Sequence, residues 1–404
     1  MNQSLRVLFA SERPPYPFFL GGAARCAHRL LLSVSGTSQA ECCAVGSAEY
    51  TGSPWTYPLA QDHESLGVRT VVSPSHGLTA NTRFPGPTLD CGYPVGVMSD
   101  FFNALGRLLD DFKPDLVWAQ LDGAQEILSV ASRKDVQGLL YVHDAEFDPA
   151  QLHAITSLGC HVVCSSEFLA RKASKIIGRP AHVVYPASDW YFGTQGDPNG
   201  LVTMINPHKV KGIDTFLEIA RRLPDQKFLL VESWKLSEDA LWALHSRLSQ
   251  LPNVRFQHRV SDMRDIYRQT RLLLVPSVWA EGFGMVAVEA QSCGIPVIAS
   301  ARGGLPESVG DGGILIRDHL DVKAWLDAMH SILDDEANYR AWSARALQHA
   351  RSPDFDPNEL ARRFLAICTS PAPGSGAASY GLRSLLSGLE RLPLVGWMIR
   401  EARR

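Results

Sequence analysis

Short apolar runs recur along the chain with helical patterns between them, and that alternation leaves few folds open. "LRVLFAS" (5–11) leads through a Gly-rich turn into the helix-like "ARCAHRLLLSV" (24–34). "PDLVWAQ" (114–120), "GLLYVHD" (138–144) and "CHVVCSS" (160–166) read as short buried strands, each followed by a helical pattern. A second series follows the turn-rich "YPASDWYFGTQGDPNG" (185–200). Its strands are "LVTMIN" (201–206), "KFLLVES" (227–233), "VRFQHRV" (254–260), "RLLLVPS" (271–277) and "IPVIAS" (295–300). Helical patterns cover 212–223, 319–350 and 354–368. Branched, apolar strands alternating with helices predict parallel, doubly wound sheets. A chain of 404 residues exceeds the size of one core. The reading is therefore α/β, with Rossmann-like domains at 1–188 and 189–368 and a linker and tail at 369–404. Parallel sheets bind ligands beyond their carboxyl ends, which makes the cleft between the domains the expected site.

Composition narrows the class further. The chain is 45% hydrophobic and 20% charged, as soluble globular proteins are. A net charge of -3 predicts no nucleic-acid partner. Eight scattered cysteines form neither a zinc pattern nor a disulfide framework, so a cytoplasmic location is expected. The N-terminal stretch lacks the apolar region of a signal peptide, and no run is long enough to span a membrane. "SPAPGSGAAS" (370–379) has the composition of a flexible linker. The tail "YGLRSLLSGLERLPLVGWMIREARR" (380–404) is either a closing helix packed on the protein or a basic amphipathic segment in peripheral contact with anionic lipid. Pro393 would interrupt any single long helix there.

The chemistry concentrates in "EGFGMVAVEA" (281–290), which follows a buried strand ending at Pro276-Ser277. Gly282 and Gly284 let backbone N–H groups approach a ligand closely. The helix read from Met285 offers unpaired N–H donors and partial positive charge, a site for phosphate. Glu289 falls one turn inside that helix, and a carboxylate there can accept two hydroxyl hydrogen bonds from a ribose diol. Glu281, on the loop, can do the same for sugar hydroxyls. An ordinary solvated loop and helix remain the alternative for each glutamate alone.

The Glu281-x7-Glu289 spacing, followed by "CGIPVIAS" and "GGLPESV", resembles the donor-binding signature of the family 4 retaining glycosyltransferases, which have the GT-B fold of two Rossmann-like domains. The resemblance covers roughly residues 5–368, with an early "GGAA" loop, "VHD" ending a strand and "KG" opening a helix. It implies transfer of a sugar from a nucleotide-diphosphate sugar, a UDP-sugar by default, with retained anomeric configuration and no required metal or other cofactor. It also implies that Glu281 binds the transferred sugar, helped by the amides of Phe283 and Gly284, and that Gly282 belongs to the donor-binding set. Met285 and Val286 would face the diphosphate, Glu289 the ribose, and backbone near Arg259 and Val260 the base.

In "INPHKVKGIDTF" (205–216), Lys211 matches the family's lysine that neutralises the leaving diphosphate. The family's arginine slot, five or six positions earlier, holds Asn206 or Ile205, and Lys209 is the candidate compensating cation. Gly21 and Gly22 match a loop that touches the diphosphate. His143 matches an active-site histidine expected to hydrogen-bond near the anomeric carbon. Asp144 is read as a neighbour of that site and not as a metal ligand. Catalysis is thereby assigned to His143, Lys211 and Glu281, by a front-side route in which the departing phosphate takes the acceptor's proton.

Two further readings stay open: a non-catalytic sugar-nucleotide-binding protein of the same fold, and a related-fold epimerase or phosphorylase. The hydroxyl acceptor is not legible; its contacts are expected from 48–65 and 73–94.

Overall fold

The computed structural model describes residues 4–19, 21–48, 69–70, 88–98, 100–260, 262–371 and 373. The tail 380–404 and most of the two stretches expected to meet the acceptor lie outside the described residues.

The first sheet is built from β1 (Leu5–Ser11), β2 (Ala40–Ser47), β3 (Arg69–Thr70), β4 (Thr88–Asp90), β5 (Pro94–Met98), β6 (Leu116–Gln120), β7 (Gln137–Val142), β8 (His161–Cys164) and β9 (His182–Val183). Their order is β3-β4-β5-β2-β1-β6-β7-β8-β9. Seven strands, from β5 to β9 in that order, run parallel, while β3 and β4 add an antiparallel edge. The second sheet comprises β10 (Leu201–Ile205), β11 (Phe228–Val231), β12 (Val254–Gln257), β13 (Thr270–Val275), β14 (Val297–Ser300) and β15 (Gly313–Ile316). All six are parallel, in the order β12-β11-β10-β13-β14-β15.

Helices cover both faces of each sheet, so both faces bury apolar side chains. One core of the first sheet holds Phe9, Trp118 and Tyr141, and the opposite face holds Leu8, Phe112 and Val162. The second sheet is divided likewise between Phe216, Phe228 and Trp325 on one side and Leu229, Tyr267 and Ile295 on the other. This two-sided burial is why the strands read as unbroken apolar runs rather than alternating ones. All eight cysteines are buried, and none is joined to another in a disulfide.

Three sequence expectations are corrected. The strand expected at 254–260 ends at Gln257, so Arg259 and Val260 lie on the loop beyond β12. The helical stretch 319–350 is two helices, Val322–Leu333 and Glu336–Ala350, because Asp335 N-caps a fresh start. The helix Pro357–Cys368, grouped with the second domain by its place in sequence, packs on the first sheet. Its Phe364 is fully buried and lies 5.1 Å from Trp118, and its neighbours Leu360 and Leu365 join the same core. Apolar surface is covered by whichever helix reaches it, and the chain crosses back to the first lobe to supply this one.

A buried histidine in the first lobe makes stability depend on pH. His28 stacks on Tyr16 at 4.2 Å, and its Nδ1 lies 2.7 Å from the Tyr93 hydroxyl. Burial, with Arg29 and Arg25 nearby, pushes its pKa down from 6.5 to about 3. Between those values the unfolded chain binds a proton that the folded one refuses, so stability falls as pH drops below 6.5. The expected contribution is about 1.4 kcal/mol per pH unit. Urea unfolding between pH 7.5 and 5 should therefore show a shallower loss for His28→Gln than for the parent; equal slopes would refute the assignment.

Candidate functional site

The two sheets meet with their strand ends facing one another, and glycine sets the approach. A Cβ on Gly282 would lie 1.8 Å from the His143 carbonyl oxygen, so only a bare backbone passes this point of contact between the lobes. Ser166 reinforces it by donating to the Gly282 carbonyl at 2.6 Å. Glu307, of the "GGLPES" stretch, accepts from the amides of Glu167 and Phe168 at 2.6 and 2.8 Å. It thus places negative charge on the start of the helix Glu167–Ile177 in the other lobe, where the helix dipole favours it. Tyr185 donates to the same carboxylate at 3.1 Å.

Around this junction the signature loop folds back on itself. Glu281 forms an isolated parallel bridge with Gly303, and Gly304 donates its N–H to the Glu281 carbonyl at 2.8 Å. Gly284, at φ 95°, is the N-cap of the helix Met285–Ser292. The amides of Met285 and Val286 stand in its first turn, which leaves N–H groups without intrahelical acceptors. Gly22 opens the helix Gly22–Gly36 of the first lobe, capped by Gly21, and a Cβ there would come 3.6 Å from the Met285 sulfur. Two helix starts, one from each lobe, therefore point at the same region.

Lys211 ends a 3-10 turn, Lys209–Lys211, and Gly212 turns the chain into the helix Ile213–Arg222 at φ 85°. A side chain at Gly212 would strike the Pro276 carbonyl at 1.8 Å, and this contact sets Lys211 beside the end of β13. The Lys211 ammonium holds Glu281 in a two-pronged ion pair at 2.7 and 2.9 Å. It also lies 4.4 Å from the Trp279 ring centre and 4.9 Å from that of Trp234, which wall it with two aromatic faces. Ser277 donates to the same Glu281 carboxylate.

Glu289, 6% exposed, accepts from the Tyr267 hydroxyl at 2.7 Å, and its other oxygen lies 3.9 Å from Arg25. His143 stacks on Tyr141 at 4.3 Å and meets Gln120 at 2.8 Å. Gln120 donates its amide to the Ala23 carbonyl at 3.2 Å, which turns its oxygen toward the imidazole. His143 Nε2 is accordingly the donor, and desolvation lowers the ring's pKa from 6.5 to about 3. The ring is a neutral imidazole whose Nδ1 is left to accept.

The remaining expected residues divide. Asn206 is buried in left-handed backbone at φ 74°, a conformation Asn tolerates better than most residues. Its Oδ1 is buried without a hydrogen-bond partner among the described residues. Lys209 and Asp144 are exposed. Arg259 is exposed and Val260 half-buried, the latter packed against the second lobe's core. Among the described residues no group of three or more His, Cys, Asp or Glu side chains is placed to hold a metal ion. No helix among them is long and apolar enough to cross a membrane.

This geometry has known relatives. The family profile described as "Glycosyl transferases group 1" matches residues 190–349. A D-inositol 3-phosphate glycosyltransferase of Mycobacterium leprae is 36% identical over 326 residues, 76% of this chain and 68% of that protein. The chain belongs to the group 1 glycosyltransferases. A relative of the same name from Catenulispora acidiphila is 43% identical, over 28% of this chain and only 27% of its own length. The fold has a counterpart in the Anabaena protein HepE in complex with UDP-glucose, at 18% identity and a TM-score of 0.66, covering 90% of this chain and 99% of that one. Two Rossmann-like domains in this arrangement make the chain a GT-B protein.

Within that glycosyltransferase frame, sequence reasoning missed Arg25, Gln120, Tyr267, Ser277, Trp234, Trp279 and Glu307. Gln120 carried a usable signal, a polar residue ending an apolar buried strand, 2% exposed. Arg25 carried none, since it reads as the polar face of an amphipathic helix.

Because Gly282 sets the contact between the lobes, Gly282→Ala should fold but hold the lobes apart. A shift of about 1 Å in a reacting geometry costs on the order of a hundredfold in rate. A larger radius of gyration in small-angle scattering and a comparable drop in glycosyl transfer are expected. Parent-like values of both would contradict the contact.

Proposed function

We propose that the chain is a retaining glycosyltransferase that moves a sugar from a nucleotide-diphosphate sugar, a UDP-sugar by preference, to a hydroxyl acceptor. The observation that carries this reading is the direct pairing of Lys211 with Glu281 at the mouth of the cleft, beside the helix that holds Glu289. Glu281 binds hydroxyls of the transferred sugar, aided by backbone at Gly282, Phe283 and Gly284. The diphosphate lies against the amides of Met285 and Val286 and the Gly21-Gly22 turn. Glu289 takes the ribose diol, and backbone at Arg259 and Val260 takes the base. Asn206 and Lys209 flank the phosphate side of Lys211. Chain boundaries near 188 and 353 separate an acceptor lobe from a donor lobe, with the helix Pro357–Cys368 returning to the first.

The reaction is front-side and uses no metal or other cofactor. The C1–O bond of the donor breaks, with its electron pair going to the departing phosphate oxygen. The acceptor oxygen bonds to C1 on the same face, and its proton passes to that phosphate oxygen. Lys211 and the helix-start amides stabilise the charge as it develops. His143, a neutral imidazole, accepts a hydrogen bond near the anomeric carbon and takes no proton. HepE's complex with UDP-glucose supports the uridine preference, and the relatives' names make D-inositol 3-phosphate the first acceptor to try.

The test has two arms. A panel of UDP-, GDP-, ADP- and dTDP-sugars should raise the melting temperature for one nucleotide class, equivalent to about 2.7 kcal/mol at a hundred times Kd. Lys211→Ala should cut product formation by at least about a hundredfold. Near-normal turnover in that variant removes the assignment. The non-catalytic reading, which Asn206 in the arginine slot favours, predicts donor binding with neither transfer nor hydrolysis.

A further inference from the structure

Arg25 has no part in the signature, yet it is the residue of the first lobe that comes closest to Glu289 charge to charge. It lies in the first turn of the helix Gly22–Gly36. Its side chain is 20% exposed, and Nη1 stands 3.9 Å from Glu289 Oε1. The guanidinium stacks 4.8 Å over Trp190 and 5.5 Å over Tyr191, and Nη2 donates to the Tyr191 hydroxyl. Burial works against its charge, while Glu289 and Tyr191 more than offset this and hold its pKa above the ordinary value.

The distances define what such a group does. At 3.9 Å the contact is longer than a hydrogen bond, so Arg25 supplies countercharge without occupying a lone pair of Oε1. Tyr267 occupies one site on Oε2 at 2.7 Å. A carboxylate offers about four acceptor sites, so about three remain, enough for the two hydroxyls of a diol. A buried carboxylate with no countercharge is costly to keep, and here the compensation comes from the opposite lobe.

We propose that Arg25 is the positioning residue for the ribose-binding carboxylate: from the first lobe, it holds Glu289 turned to accept the 2′- and 3′-hydroxyls of the donor nucleotide. The inference rests on the reading of Glu289 given above. It makes ribose recognition a property of the two lobes together, although every expected nucleotide contact except that of the Gly21-Gly22 turn lies in the second.

The experiment compares UDP with 2′-deoxy-UDP by calorimetry, or the corresponding pair for whichever diphosphate the panel selects. The parent should prefer the ribonucleotide. Arg25→Gln should lose about tenfold in affinity for UDP while affinity for 2′-deoxy-UDP changes by less than about threefold. Arg25→Lys, which keeps the charge without the planar stack, should recover part of the preference and serves in its place if the glutamine variant does not fold. Equal losses for both nucleotides would reduce Arg25 to a tether between lobes, and no loss for either would deny it any role; both outcomes overturn the proposal. Failure of the underlying reading looks different. The parent would then bind no nucleoside diphosphate, or Glu289→Gln would keep the full ribose preference.

Discussion

The close passage of the Gly282 backbone beneath the His143 carbonyl is the constraint on which the site depends. It brings the carboxyl end of β7 against the loop after β13, and with them the neutral imidazole and the Lys211–Glu281 pair. Everything polar nearby is arranged around that contact. Ser166 and Glu307 tie the lobes together, and Arg25 reaches across toward Glu289. Opposite charges and helix starts suit this contact because each would be costly to bury without a partner.

The two-sheet architecture was legible because strands buried on both faces are written as continuous branched apolar runs. β1, β10 and β13 were found within a residue or two of their limits. β2 escaped notice: "AECCAVGS" is made of small residues with little strand signature, yet it lies in the centre of the sheet between β5 and β1. The extra residues assigned to β12 have a similar physical origin. The alternation of Val254, Phe256, His258 and Val260 continues past Gln257, but the pairing with β11 does not. Sequence patterns report which side chains suit a strand, and the ladder ends where the neighbouring backbone turns away.

For the site, the glutamates and Lys211 were readable from spacing because their chemistry is carried by local turns, Gly282 to Gly284 and Gly212. Residues that act by meeting across the fold were not. Arg25 and Glu289 are 264 positions apart, and nothing in the helix around Arg25 marks it as different from a solvated face. Asn206 shows a backbone demand that spacing does not report. Read as a substitute in a phosphate grip, it occupies left-handed backbone at φ 74°, a demand an arginine would meet poorly.

The return of the helix Pro357–Cys368 to the first sheet has a mechanical consequence. Among the described residues the chain crosses between the lobes twice, once on entering the second sheet near residue 190 and once on leaving it near 353. A single tether would let one lobe swivel in any direction about the other. Two crossings act as a pair of pins, and the easy motion left is rotation about the line joining them, so that opening and closing of the cleft follow one path.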